Sequence, residues 1–198
     1  VNDERILEVA SKYDAIGITS IFSQQETQAL HCAKIIKKNY PNKLLFSGGV
    51  NAKSRSSIFF SSGFDIICTS ESEVTIQQIA KILQKESRDF SSVGKIFFKN
   101  KSGKIIDNSH FGDIFWDLDK LPIPAWDLLP NERYWKIGRP HGGNIKPGTE
   151  LRYASIMTSR GCPFKCSYCH IAQETEDSIS GAIGRFRIKS DERVRKEL

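Results

Sequence analysis

Short apolar runs alternate with helical periodicities through the first 85 residues, a pattern that predicts a parallel-sheet α/β architecture. Ala15-Ile16-Gly17-Ile18-Thr19-Ser20 reads as a buried strand. A helix is expected over Gln25–Lys38, with Ala29, Cys32, Ala33 and Ile36 on one face, ending at Asn39-Tyr40-Pro41-Asn42. Lys43 to Ser47 is the next strand and runs into Gly48-Gly49; Lys53 to Ser62 is a short helix closed by Gly63. Phe64 to Cys68 gives a third strand. Glu71 to Gln84 gives a helix whose Ile76, Ile79, Ala80 and Leu83 fall at the spacing of a core face. Two further runs, Lys95–Lys99 and Lys104–Asp107, flank Asn100-Lys101-Ser102-Gly103 and predict a β-hairpin at a sheet edge.

The texture then changes. Residues 110–150 hold all three tryptophans (Trp116, Trp126, Trp135) and five of the seven prolines, as expected of an ordered linker packed through its aromatic rings. Tyr153 to Thr158 again reads as a strand. Ser190 is a candidate N-cap, with Asp191 and Glu192 in the first turn of a helix whose Val194 and Leu198 share a face. Three segments follow: a partial Rossmann-like sheet with its edge hairpin over 1–109, a linker over 110–150, and the start of a further α/β unit over 151–198. The chain opens on Val1, has Met157 as its only methionine and stops in mid-helix, so a fragment at both ends is expected.

Composition excludes several classes. With 198 residues, 39% hydrophobic and 26% charged, the chain can bury a core, which sets aside wholesale disorder, collagen and coiled coil. No apolar run approaches a bilayer span and no signal-peptide series opens the chain, so a cytoplasmic protein is expected. The net charge of +6 is divided evenly between the first 150 residues and the remainder. Such a spread suits a solvated surface rather than a nucleic-acid stripe.

Of five cysteines, Cys32 and Cys68 lie on predicted core faces, where a thiol behaves as a small hydrophobe. The other three, Cys162, Cys166 and Cys169, stand at Cys-x-x-x-Cys-x-x-Cys spacing within eight residues. Three thiolates on one loop can take three corners of a cubane iron–sulfur cluster and leave one iron open for a substrate or cofactor. Gly161 and Pro163 suit a tight loop. Other readings use the same residues. A zinc site could recruit His170 as fourth ligand, giving a zinc-stabilised module whose basic surface meets RNA. Cys166-Ser167-Tyr168-Cys169-His170 also spells a haem-attachment motif, which export and Cys162 do not suit. His31, His110 and His141 have no catalytic partner in the sequence, and His141-Gly142-Gly143 reads as a glycine-rich loop.

Cys162-x-x-x-Cys166-x-Tyr168-Cys169 resembles the signature of the radical S-adenosylmethionine superfamily. The resemblance implies that the three cysteines bind a [4Fe-4S] cluster whose open iron chelates S-adenosylmethionine. It implies also that an electron from an external donor cleaves that cofactor to a 5′-deoxyadenosyl radical, and that Tyr168 packs near cluster and adenine. Arg185 to Ser190 resembles the stretch that follows the cluster loop. Arg185, Arg187 and Lys189 are expected at a solvated helix entry, within reach of a carboxylate.

Upstream, Tyr13–Ser20, Leu45–Val50, Phe64–Cys68 and Glu71-x-Glu73 resemble the later part of a cobalamin-binding Rossmann-like domain, and Leu118–Asp127 resembles the connector to the radical barrel. Thr19, Ser20, Gly48 and Gly49 are then the expected cobalamin contacts. The chain carries Ser70-Glu71-Ser72-Glu73 where that family usually shows Gly-Glu-Gly-Glu. What the resemblance implies for the intact protein is cobalamin-dependent methylation of an unactivated carbon, or a related radical rearrangement, on a small molecule the sequence does not name. Too little of the barrel is present for this piece alone to turn over.

Overall fold

The structure, a computed structural model, describes residues 2–137, 152–169, 171 and 184–198. It divides into two compact units, one of Val1–Phe115 with Gly161–Arg185 and one of Trp116–Arg160 with Phe186–Leu198.

The first unit is built on a five-stranded mixed sheet in the order β1-β2-β3-β4-β5. Strands β1 (Ala15–Thr19), β2 (Leu44–Gly48) and β3 (Ile66–Cys68) are parallel; β4 (Ile96–Lys99) and β5 (Ile105–Asp107) are the antiparallel hairpin at the far edge. Asn100 closes that hairpin. Its side-chain oxygen accepts from the amides of Ser102 and Lys104 at 3.0 and 2.9 Å, and Gly103 takes the left-handed φ of 79° that the turn needs. Helices α2 (Ser23–Asn39), α3 (Val50–Ser54), α4 (Ser56–Ser61) and α5 (Glu73–Gln84) connect the strands. One further helix, α1 (Asp3–Ser11), precedes β1. It is short and highly charged, so periodicity does not announce it, yet Asn2 caps the amide of Arg5 and Ala10 is buried with Ile6 packed beside it.

Two apolar clusters hold the sheet. Ala29, Ala33 and Ile36 of α2 meet Leu45, Phe59, Phe64 and Ile67 on one side, and Leu44, Ile66, Cys68, Ile79, Ile96 and Phe98 form the other. Alternate residues of β2 and β3 thus feed both cores, as a sheet covered on both faces requires. Cys68 is buried in the second cluster, as its core position predicts, whereas Cys32 is half-buried and belongs to neither.

The expected face of α5 needs correction. Thr75 and Ile79 are its buried residues, whereas Ile76 is 43% exposed and Ala80 exposed. Thr75 and Ile79 share the one stripe that meets the core, and Ile76 lies off it, bordering a cleft described below.

In the second unit, residues 118–120 and 126–128 form single 3₁₀ turns and α6 spans Asn131–Ile137. The strand expected over Tyr153–Thr158 is not formed. Only Ser159–Arg160 (β6) is paired, antiparallel with Arg187–Ile188 (β7). An apolar run becomes a strand when another strand satisfies its backbone, and none stands beside 153–158 among the described residues. The carbonyl of Tyr153 instead accepts from the Trp135 indole at 2.8 Å.

The last helix, α7 (Asp191–Glu197), begins as expected, with the Ser190 hydroxyl accepting from the Arg193 amide at 3.1 Å. Its packed face is charged rather than apolar: Arg193 and Glu197 are buried, whereas Leu198 is 88% exposed. Lys189, expected at a solvated entry, is buried too, its ammonium 2.7 and 2.6 Å from the two carboxylate oxygens of Glu197. Arg193 pairs with the same carboxylate at 2.8 Å and donates to the carbonyls of Asp119 and Pro122 at 3.3 and 2.9 Å. This ties α7 to the 118–122 turn.

The Lys189 hydrogen bond, followed by that of Arg193, holds the Glu197 carboxyl below the usual glutamate range. A depressed folded value makes its contribution complete above the unfolded value and lost as pH falls through the folded one. Glu197→Gln leaves two buried cations without their counter-ion and is expected to cost about 3 kcal/mol near neutral pH. Urea unfolding across pH checks this, because the gap between wild type and variant closes in acid.

Candidate functional site

At the carboxyl ends of β1 and β2 the sheet opens into a cleft of about 280 Å³, walled by Gly17–Thr19, Phe46–Gly49, Cys68, Ser72 and Ile76. Parallel pairing places Thr19 opposite Gly48 and so brings the first two loops together. The carboxyl end of a parallel sheet is where α/β folds receive ligands.

Each small residue there has its own reason. A Cβ on Gly17 would lie 2.7 Å from the Phe46 ring, so this glycine seats the aromatic side chain. At Gly48 a Cβ would meet only the Cβ of Cys68, at 3.5 Å, which leaves the cleft side open to close approach. Gly49 has φ +99°, and a Cβ there would stand 2.6 Å from the Ser20 carbonyl oxygen. The loop crossing itself demands glycine. Gly49→Ala is therefore expected to cost about 3 kcal/mol, from left-handed strain and the clash together; equilibrium urea unfolding measures it.

Of the residues expected to touch a cofactor here, Thr19, Gly48 and Gly49 line the cleft. Ser20 does not. It is fully buried behind the wall, with its hydroxyl accepting from the Asn51 side-chain amide at 3.0 Å. Asn51 also donates to Glu26 at 3.2 Å, and Glu26 accepts from Arg55 at 2.6 Å, a bond that lowers the Glu26 carboxyl below its usual range. Burial pushes the Cys68 thiol up, partly offset by a hydrogen bond with Ser72, so it meets the cleft as a neutral thiol. Ser72 stands where glycine is usual in the family it resembles; its φ of −106° is open to any residue, so the serine adds a hydroxyl without backbone strain.

The second constellation is the cysteine loop. Cys162, Cys166 and Cys169 are free and half-buried, and Tyr168 between them is 90% exposed. Gly161 has φ +81°, and a Cβ there would lie 2.1 Å from the Arg185 carbonyl oxygen, while the Cys162 amide donates to Gly184 at 3.1 Å. The Cys169 amide donates to the Cys166 carbonyl at 3.0 Å, turning the chain between those two thiols. Among the described residues no three His, Cys, Asp or Glu side chains are gathered on one point, as a single metal ion would require. A cubane makes a different demand, since each thiolate takes its own iron, and three soft sulfur donors on a short loop fit that group. His170 and His141-Gly142-Gly143 lie outside the described residues. Arg187, grouped with Lys189 in sequence, stacks its guanidinium 5.7 Å from the Trp116 ring.

Fold and sites together define an α/β unit with a cleft at the carboxyl ends of its parallel strands, carried in one chain with a three-thiol loop. No family model matches the chain. It is 30% identical over 198 residues, 98% of its length, to an uncharacterized methyltransferase, PH0819, of Pyrococcus horikoshii, of which it covers 38%. Over 170 residues it is 24% identical to the cobalamin-dependent radical SAM methyltransferase TokK of Streptomyces tokunonensis, covering 84% of this chain and 22% of that one. Its fold matches the radical S-adenosylmethionine methyltransferase TsrM of Kitasatospora setae, solved with cobalamin and a [4Fe-4S] cluster. There the TM-score is 0.67 at 14% identity, over 99% of this chain and 37% of the other. The chain is thus similar in sequence to methyltransferases, over 84% of its length to a cobalamin-dependent radical SAM one, and it spans well under half the length of those it matches.

Sequence reasoning missed Asn51, Glu26 and Arg55, which hold the cleft from behind, and Phe46 and Ile76, which line it. Among the described residues no helix is long and apolar enough to cross a membrane.

Proposed function

We propose that this chain is the cofactor-binding part of a cobalamin-dependent radical S-adenosylmethionine enzyme that transfers a methyl group to an unactivated carbon of a small molecule, or performs a related rearrangement. The observation that carries the reading is the trio of free cysteines on one tight loop, in a chain similar to methyltransferases, one of them cobalamin-dependent and radical SAM.

Cys162, Cys166 and Cys169 are the thiolate ligands of a [4Fe-4S] cluster. When bound, that cluster with S-adenosylmethionine supplies a 5′-deoxyadenosyl radical. Gly161 keeps the loop tight enough to present the thiols from one side. Tyr168, exposed between two of the ligands, covers the adenine in this reading. In the α/β unit, Thr19 and the backbone of Gly48 and Gly49 would receive cobalamin, and the neutral Cys68 thiol and Ser72 hydroxyl line the same cleft without adding charge. An external electron donor and a cytoplasmic setting complete the reading, and the evenly spread charge argues against nucleic acid as substrate.

Anaerobic reconstitution with iron and sulfide tests this. The expected product is brown, contains iron and labile sulfide in equal amounts and bleaches in air. A colourless, air-indifferent protein holding zinc sinks the proposal and supports the metal-stabilised module instead.

A further inference from the structure

The walls of the cleft come from two loops that are not adjacent in sequence, and a buried polar group joins them. The Ser20 amide donates to the Gly48 carbonyl at 2.9 Å and the Ala52 amide to the Ser20 carbonyl at 3.2 Å, which sets the backbones side by side. Asn51, 7% exposed, reaches across with one side-chain amide nitrogen to the Ser20 hydroxyl and the Glu26 carboxylate, at 3.0 and 3.2 Å. Arg55 braces Glu26 from outside at 2.6 Å, keeping that carboxylate ionised and accepting. None of these four residues lines the cleft, yet they fix the loops that carry Thr19, Gly48 and Gly49.

We infer that Asn51 is a positioning residue for cobalamin: its amide bolts the loop after β1 to the loop after β2, so that Thr19 and the Gly48-Gly49 backbone meet the ligand at a fixed separation. This rests on the cobalamin reading proposed above. A buried polar network is worth most when every member is satisfied, and its polarity is one-way: Asn51 donates, Ser20 and Glu26 accept. Reversing one member sets acceptor against acceptor. Reversing two restores the network with the same net charge.

The test titrates the chain with hydroxocobalamin, following the visible spectrum of the bound corrin and the melting temperature of each protein. Wild type is expected to bind with a shifted spectrum. Asn51→Asp, nearly isosteric, sets its carboxylate against Glu26 and is expected to bind at least about tenfold more weakly. In the double variant Asn51→Asp with Glu26→Gln the second carboxylate is gone; Asn51 and Arg55 share one Glu26 oxygen, so the new amide tilts to turn its nitrogen to the new carboxylate and its oxygen to Arg55, and the Ser20 hydroxyl turns to donate. Affinity and spectrum are expected to return to within about threefold of wild type. Ser20→Ala, which removes one acceptor from a residue that does not line the cleft, is expected to weaken binding about threefold and decides the matter if Asn51→Asp does not fold. Wild-type binding together with unchanged affinity in folded Asn51→Asp, or in Ser20→Ala, overturns the role of Asn51 alone. A wild-type chain that takes up no cobalamin overturns the cleft reading and this inference with it.

Discussion

Cys166→Ala is expected to yield a folded chain that takes up no [4Fe-4S] cluster: iron and sulfide fall to background after reconstitution, and the brown colour never develops. In the proposed reading one iron of the cubane stays open for S-adenosylmethionine, so the three thiolates are its whole protein ligand set and the loss of one leaves two. No fourth cysteine stands near the loop in sequence, and neither remaining one suits a metal: Cys68 lies in a core and Cys32 is half-buried on α2, and burial raises both thiols and disfavours the thiolate a metal needs. Stability should change by less than about 0.5 kcal/mol, since Cys166 is half-exposed and outside either core. Cys32→Ala serves as the matched control, keeping full cluster loading. Iron analysis beside a thermal melt reads both outcomes, and a Cys166→Ala protein that retained its metal would count against the cluster and the zinc reading alike.

Gly161→Ala is expected to be nearly as damaging while leaving all three thiols in place. The left-handed φ of 81° disfavours alanine, and the added methyl would sit 2.1 Å from the Arg185 carbonyl oxygen, a backbone atom that moves only with the chain around it. Relief requires the Gly161–Cys162 segment to part from Gly184–Arg185 and break the hydrogen bond from the Cys162 amide. At about 3 kcal/mol, the population with its thiols in register drops ~100-fold. Cluster yield after reconstitution falls accordingly, and the residual cluster is lost faster in air. Gly103→Ala, at a hairpin turn where a Cβ meets nothing within 4 Å, shares the positive φ but not the clash, and its cluster yield stays at the wild-type level.

What the sequence discloses and what it conceals follow from how local each signal is. The order of strands and helices from residue 15 through residue 107 is readable because apolar runs, helical spacing and turn residues are properties of neighbours in sequence; the charged α1 is not. The cysteine loop is readable for the same reason, since its thiols sit within eight residues of one another. The face of α5 is not: Ile76 is as apolar as Ile79, and only the packing angle decides that one enters the core while the other borders a cleft. Lys189 looks like a solvated cation until Glu197 and the carbonyls of Asp119 and Pro122 gather around it and Arg193. Ser20 resembles a ligand contact in a Gly-Ile-Thr-Ser stretch but turns inward to meet Asn51, a partner that parallel pairing of β1 and β2 brings close. Tyr153 to Thr158 has the composition of a strand, and composition cannot supply the partner that would make it one.

Electron paramagnetic resonance of the reconstituted, reduced protein, recorded anaerobically with and without S-adenosylmethionine, tests the central claim most directly. The account predicts a [4Fe-4S] signal whose shape shifts when the cofactor is added, because three cysteines leave one iron free to bind it. Absence of any cluster signal from a protein loaded with iron and sulfide would contradict it.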